Sequence, residues 1–151
     1  MSKNPNLHLV EKFYQALSES DAALFWGIQT DDVIYNISGQ TVISGRIQGK
    51  KNMSDDITPY VFGGLQMDNF RFSKKWKVMC SDERRIVVIM EADGLATNGV
   101  RYDQRYVHIF EFRDSLISAV WEFFDTQLAN DALFHAAANV PRSPNFTAFE
   151  F

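Results

Sequence analysis

The sequence predicts an α+β domain: a strongly bent antiparallel sheet with N-terminal helices on its concave face, forming a conical cavity. Three observations predict it. Apolar residues at helical spacing occupy the chain up to Tyr60. Alternating, strand-like apolar runs occupy most of the chain from Leu65 onward. No Pro/Gly/Ser linker, internal repeat or low-complexity tract interrupts the 151 residues, so a single domain spans 1–151.

Leu7, Val10, Phe13, Tyr14 and Leu17 recur at helical spacing after the start signal Asn4-Pro5-Asn6. Asp21 caps a shorter helix, Ala22 to Ile28. Val33 to Ile37 is a short β-like run that follows Asp31-Asp32. Gly39, Gly45 and Gly49 punctuate a loop and hairpin. Lys50 to Tyr60 reads as a third helix, ending near Pro59 and closed by Gly63-Gly64. Strand segments follow over Leu65 to Val78 and Ile86 to Asp93, with a turn over Gly94 to Gly99. Tyr102 to Phe112 and Leu116 to Asp125 complete a meander around Arg113-Asp114-Ser115. Gln127 to Ala138 predicts a closing helix. In the tail, Phe146, Phe149 and Phe151 predict packing against the body.

Composition narrows the class. Apolar residues make up 46% of the chain, with 13 Phe and 3 Trp, which excludes disorder as the main state. The net charge of −4 leaves no basic face for a nucleic-acid backbone, so no nucleic-acid partner is expected. Lys74-Lys75-Trp76-Lys77 and Arg84-Arg85 have acids nearby and read as solvated surface. Cys80 is the single cysteine, so no intrachain disulfide can form. The polar start and the lack of a membrane-length apolar run predict a cytoplasmic protein with no membrane partner. His8, His108 and His135 are far apart, so no metal is expected, and no Gly-rich phosphate loop points to a cofactor.

The hairpin of residues 102 to 133 embeds His108, Glu111, Glu122 and Asp125 among aromatics. Polar groups in such strands must be satisfied or used. Strand alternation puts Tyr106, His108 and Phe110 on one face, and Val107 and Ile109 on the other. Glu122 shares a face with Val120 and Phe124. With helices on one face only, the outer face is left to bury, and a homodimer through it is expected.

The resemblance rests on three features. They are the first helix followed by Ser20-Asp21-Ala22-Ala23-Leu24; Asp31 to Asn36 followed by Ser44-Gly45-Arg46 and a helix; and Phe110 to Ile117 followed by Trp121 to Thr126. Over residues 7 to 135 the chain resembles the nuclear-transport-factor-2-like, or SnoaL-like, superfamily. That resemblance implies a cystatin-like α+β roll. The fold hosts isomerases, epoxide hydrolases, polyketide cyclases, dehydratases, non-catalytic binders and oxygenase subunits, so the activity stays open.

Carried across position by position, the ketosteroid-isomerase set falls on Phe13, Asn36 and His108, and all three differ in type. The acidic positions of limonene epoxide hydrolases fall on Glu91 and Glu122, and their Asn on Asn36, while Ile89 holds the position of their bridging Arg. Phenazine-biosynthesis proteins are similar at Tyr102, His108, Phe110, Glu111, Asp114, Ile117, Glu122 and Phe123, with their acid/base carboxylate on Glu122. SnoaL-like cyclases use an Asp and a His, a role open to Asp93 or Asp125 here.

These comparisons and the strand pattern give one expected site. Glu122 is the acid/base, and His108 and Asn36 orient or polarise the substrate. Tyr14, Trp26, Tyr35, Tyr106, Phe110, Phe124 and Glu91 surround the substrate. The bland reading of each stays open: a solvated strand Glu, a core His bonded to a backbone carbonyl or a Tyr, and a structural Asn. Asp125 has its own, as a helix cap. The expected activity is cofactor-independent isomerase, cyclase or dehydratase chemistry on a hydrophobic small molecule. The alternative is a non-catalytic binding module or accessory subunit of the same fold.

Overall fold

A computed structural model describes residues 4–137 and 139–151. The expected end of the closing helix at Ala138, and the polar start Met1 to Lys3, lie outside the described residues. The elements run α1 Leu7–Glu19, α2 Ala22–Gly27, β1 Gln29–Ile37, β2 Gly45–Gln48, α3 Lys50–Asp56, α4 Thr58–Gly63, β3 Leu65–Ser81, β4 Arg85–Ala96, β5 Arg105–Arg113, β6 Leu116–Phe124 and α5 Thr126–Ala129.

Among the described residues, six strands form one sheet in the order β2-β1-β6-β5-β4-β3. The sheet is mixed, which corrects the all-antiparallel expectation. β1 joins β6 in parallel, Tyr35 opposite Val120 and Ile37 opposite Glu122, and the other pairs are antiparallel. The whole β2–β5 stretch separates β1 from β6 along the chain, which leaves room for the crossover that a parallel pair requires. Ladder irregularities bend the sheet. β3 slips against β4 at three places along its 17 residues, and β6 slips against β5 between Glu111 and Phe112.

The β5–β6 hairpin closes on Asp114 and Ser115, both with positive φ (53° and 57°). Two such residues form the primed turn whose twist matches the flanking strands. The turn pairs Arg113 with Leu116, and the extra residue Ser118 then shifts the ladder by one, which places His108 opposite Glu122.

The helices cover the concave face. Leu9, Val10, Phe13 and Tyr14 of α1 are buried against the sheet. Full burial of an aliphatic or Phe side chain contributes about 1.5–3 kcal/mol. Asp21 accepts the Leu24 amide proton at 2.9 Å and starts α2, as its position before the apolar run predicts.

The expected helix over Lys50 to Tyr60 is two helices. α3 ends at Asp56, and α4 runs from Thr58 to Gly63 with Pro59 in its first turn. Inside one continuous helix Pro59 would lack an N–H and clash with the Asp55 carbonyl, whereas a first turn accommodates it. β1 begins four residues earlier than the apolar run indicated, because Gln29 pairs with Ile117 of β6. β4 continues past Asp93 through Gly94 to Ala96, so the turn that follows is shorter than expected. β5 begins at Arg105, and Tyr102 lies in the segment that leads into it. α5 is only four residues long and continues as a π-helical turn, Asn130–Phe134.

The tail crosses the convex side. Thr147 exchanges two backbone bonds with Arg46 of β2, and the Phe149 ring sits 5.9 Å from that of Phe123. No helix among the described residues is long and apolar enough to cross a membrane.

Candidate active site

The concave face and the helices enclose a cavity of about 520 Å³. α1 contributes Phe13 and Leu17 to its wall, α2 Phe25 and Trp26, α3 Met53 and α4 Val61. Each is an apolar position of an amphipathic helix turned toward the sheet. The sheet floor is more polar. It presents Tyr35 from β1, Tyr106 and His108 from β5, Glu122 and Phe124 from β6, and Tyr102.

His108 and Glu122 are direct cross-strand partners. His108 Nε2 lies 2.9 Å from Glu122 Oε2. His108 Nδ1 lies 2.8 Å from the Tyr14 hydroxyl on α1. The imidazole is 2% exposed and the carboxylate 18%, so Glu122 stands in front and His108 behind it. Aromatic rings fix the imidazole: Tyr106 stacks on it at 5.5 Å and 11°, and the Phe13 and Phe110 rings lie 5.9 and 5.7 Å away.

A carboxylate only accepts hydrogen bonds, so toward Glu122 the Nε2–H tautomer of His108 is the donor. Nδ1 is then bare and accepts the Tyr14 O–H. Burial pushes the Tyr14 phenol well above its ordinary pKa, and the Glu122 charge adds to this, so the hydroxyl stays a donor. The three groups form a chain from Tyr14 through His108 to Glu122. If Glu122 takes up a proton it can donate to Nε2, and the ring can turn Nδ1–H toward the Tyr14 oxygen. The chain can therefore hold either charge state of the carboxyl without leaving a buried nitrogen unpaired.

Tyr35, Tyr102 and Tyr106 also lie under the influence of Glu122. Burial is the first cause of each upward shift, with Glu122 contributing, and Tyr102 reaches about 12. At neutral pH all are neutral donors.

Of the expected site residues, Glu122, His108, Trp26, Tyr35, Tyr106 and Phe124 come together on the cavity. Four others do not line it. Asn36 is buried on the opposite face, where its Oδ1 accepts the Glu150 amide proton at 3.1 Å. Strand alternation is the reason: Tyr35 and Ile37 point inward, so Asn36 between them points out. Glu91 likewise lies on the outer face, bonded to Arg105 Nε at 2.9 Å. Phe110 packs behind the cavity wall against Phe13 at 5.0 Å. Tyr14 stands behind His108 and reaches the cavity only through it.

The remaining carboxylates have structural roles. Asp93 is engaged by Arg101 and Lys74, and Asp125 caps α5 by accepting the Leu128 amide proton at 3.0 Å. Tyr102 was missing from the expected site. Its signal was the even spacing Tyr102, Tyr106, His108, Phe110, which continues one strand face back past the start of β5. Among the described residues, no group of three or more His, Cys, Asp or Glu converges as a metal site.

No family model and no curated protein sequence matches the chain. Solved structures do match its shape. An NTF2-like protein of unknown function from Burkholderia pseudomallei is 19% identical, with a TM-score of 0.71 over 87% of this chain and 98% of that one. A proposed isomerase from Bacillus subtilis is 18% identical, with a TM-score of 0.71 over 84% and 91%. TerC, co-crystallised with polyporic acid, is 17% identical, with a TM-score of 0.69 over 85% and 97%. The likeness covers more than four fifths of this chain and nearly the full length of each neighbour, and it shows that this chain has the NTF2-like, cystatin-like fold.

Proposed function

We propose that the protein is a cofactor-independent enzyme that moves protons on a hydrophobic small molecule, by isomerase, cyclase or dehydratase chemistry. One observation carries the reading: a carboxylate and an imidazole, bonded at 2.9 Å, sit on a cavity of about 520 Å³ walled largely by apolar and aromatic side chains. That volume suits a compact cyclic ligand. Phe25, Trp26 and Phe124 favour a flat, aromatic-like one.

Glu122 takes a proton from the substrate and returns it elsewhere. His108 orients the carboxylate and shares the proton it gains. Tyr14 positions His108 and does not touch substrate. The Bacillus subtilis neighbour and the polyporic-acid complex of TerC support a small-molecule role. The same reading includes a homodimer through the convex face, where Ile89 and Phe123 are 40% and 39% exposed. A reducing, cytoplasmic setting fits the free and exposed Cys80.

The test is hydrogen exchange in D2O, followed by NMR on a panel of cyclic ketones. Wild type exchanges at least one panel member faster than buffer, and Glu122→Gln loses that acceleration while keeping its circular dichroism. Undiminished exchange in Glu122→Gln ends the assignment. A second reading, a non-catalytic binder, is favoured by one observation: Glu91 faces away, which among the described residues leaves Glu122 the only carboxylate on the sheet floor of the cavity. Binding of panel members by wild type without exchange of any would select it.

A further inference from the structure

The hydroxyl protons around Glu122 can be counted. Tyr35 donates to Gln29 Oε1 at 2.9 Å. Tyr14 is engaged with His108 Nδ1 at 2.8 Å. Among the described residues, the Tyr102 and Tyr106 hydroxyls bond to each other, oxygen to oxygen, at 2.8 Å, and the Gln104 side chain acts on Tyr102 only as a donor. One hydroxyl–hydroxyl bond uses one of that pair's two protons. The Gln104 amide beside Tyr102 is no acceptor for the other. Its carbonyl oxygen already takes the amide protons of Arg105 (3.0 Å) and Asp125 (3.1 Å). Among the described residues, the pair therefore keeps one O–H without an acceptor.

Both rings line the cavity with Glu122. Tyr106 stacks on His108, and its register partner Phe124 is two residues from Glu122 on the same strand face. Burial holds both phenols protonated across the physiological range. A buried donor without a partner is costly, so such a group selects a ligand that brings an acceptor.

We infer that the Tyr102–Tyr106 pair is a subsite for a ligand oxygen, and that the cavity takes flat hydrophobic ketones or phenols whose carbonyl or hydroxyl oxygen docks on it. For a ketone this rests on Glu122 as the base. The carboxylate takes a proton from the carbon next to the carbonyl, and the C–H electron pair forms a C=C bond. The carbonyl π pair moves onto the oxygen, which the tyrosine O–H stabilises as an enolate. Return of a proton to the same carbon restores the ketone, so the exchange balances with no further reactant. Either tyrosine alone can present an O–H to the ligand, so the subsite tolerates loss of one and fails on loss of both.

The full chain is titrated with 2-naphthol and with 2-methylnaphthalene, which have the same shape, and binding is followed by fluorescence. Wild type and the single variants Tyr102→Phe and Tyr106→Phe bind 2-naphthol. The double variant loses about tenfold of that affinity, the scale of one hydrogen bond, and keeps its affinity for 2-methylnaphthalene. A double variant with full naphthol affinity overturns the inference, as does a wild type that binds neither probe. A second measurement needs no variant: the C=O stretch of 1-tetralone bound to wild type falls below its value in dry alkane. An alkane-like frequency also overturns it. Glu122→Gln separates the two proposals, because it removes exchange and keeps naphthol affinity. Full naphthol affinity in the double variant, with wild-type exchange intact, defeats this inference alone.

Discussion

His108 and Glu122 face each other across β5 and β6 as direct register partners, bonded at 2.9 Å, and only Glu122 has appreciable exposure. The pairing assigns different roles to two residues that look alike in the sequence. Glu122 meets the ligand, and His108 governs how Glu122 meets it. Tyr14 extends this one step further from the cavity.

Tyr14→Phe is the first consequence. It removes the hydroxyl from His108 Nδ1 and leaves a buried ring nitrogen unpaired, at a cost of about 1–3 kcal/mol in stability. Exchange activity falls less than in Glu122→Gln, because the carboxylate remains. The pH profile of exchange shifts while KM does not, which a merely structural loss would not produce. Urea unfolding and a pH–rate series check both parts. An unchanged pH profile with reduced stability would reduce Tyr14 to a packing residue.

The buried phenols predict the alkaline limit of the fold. Tyr14, Tyr35, Tyr102 and Tyr106 all have raised pKa values, with burial as the first cause. Their native forms keep protons that the unfolded chain releases near pH 10, so stability is constant below that and falls as pH rises toward the folded values. For Tyr102 the rise from 10.0 to about 12 is two units, which costs on the order of 3 kcal/mol by the top of that window. Tyrosinate absorbance near 295 nm and far-UV circular dichroism should therefore change together above pH 10. Four phenols ionising near pH 10 with the dichroism unchanged would contradict the burial.

Much of this architecture was legible in the sequence because it is local. The spacing of Leu7, Val10, Phe13 and Tyr14, the Asp21 cap and the alternation around His108 each report their own element. The likeness to known families put Glu122 and His108 on one face, which strand alternation through the turn would not have done: it sets Trp121 opposite His108, and the extra residue Ser118 corrects the register. Asn36 was misplaced because its assignment came from a likeness of position, although Val33, Tyr35 and Ile37 already claimed the inner face. What holds Asn36 is a bond to Glu150, 114 residues away, and no local pattern contains it. The break at Ile57 between α3 and α4 was signalled by Pro59, but a proline can either end a helix or start the next one.

Asn36→Ala follows from that placement. It removes the acceptor of the Glu150 amide and loosens the tail, which also holds Trp121 through a 2.7 Å bond from its indole nitrogen to the Glu150 carbonyl. Stability falls by about 1 kcal/mol. Naphthol affinity and exchange stay at wild-type values. A large loss of exchange in a folded Asn36→Ala protein would return Asn36 to the site.

Gly94→Ala tests the bend that shapes the cavity. Gly94 of β4 stands opposite Phe70 of β3, and a Cβ there would lie 1.9 Å from the Phe70 ring. The ring cannot simply swing away, because it packs edge-on against Phe72 at 4.6 Å and lies 6.2 Å from Tyr102. Phe72 and Tyr102 both line the cavity, so the displacement reaches the ligand site. Overpacking of this kind costs about 1–3 kcal/mol. Phe70→Ala alone also destabilises, by leaving a void. Together they should cost less than their sum, since each relieves the other's defect. Thermal melts of the two single variants and the double variant complete the cycle. Strict additivity would show that Gly94 does not matter through Phe70, and that the bend has another origin.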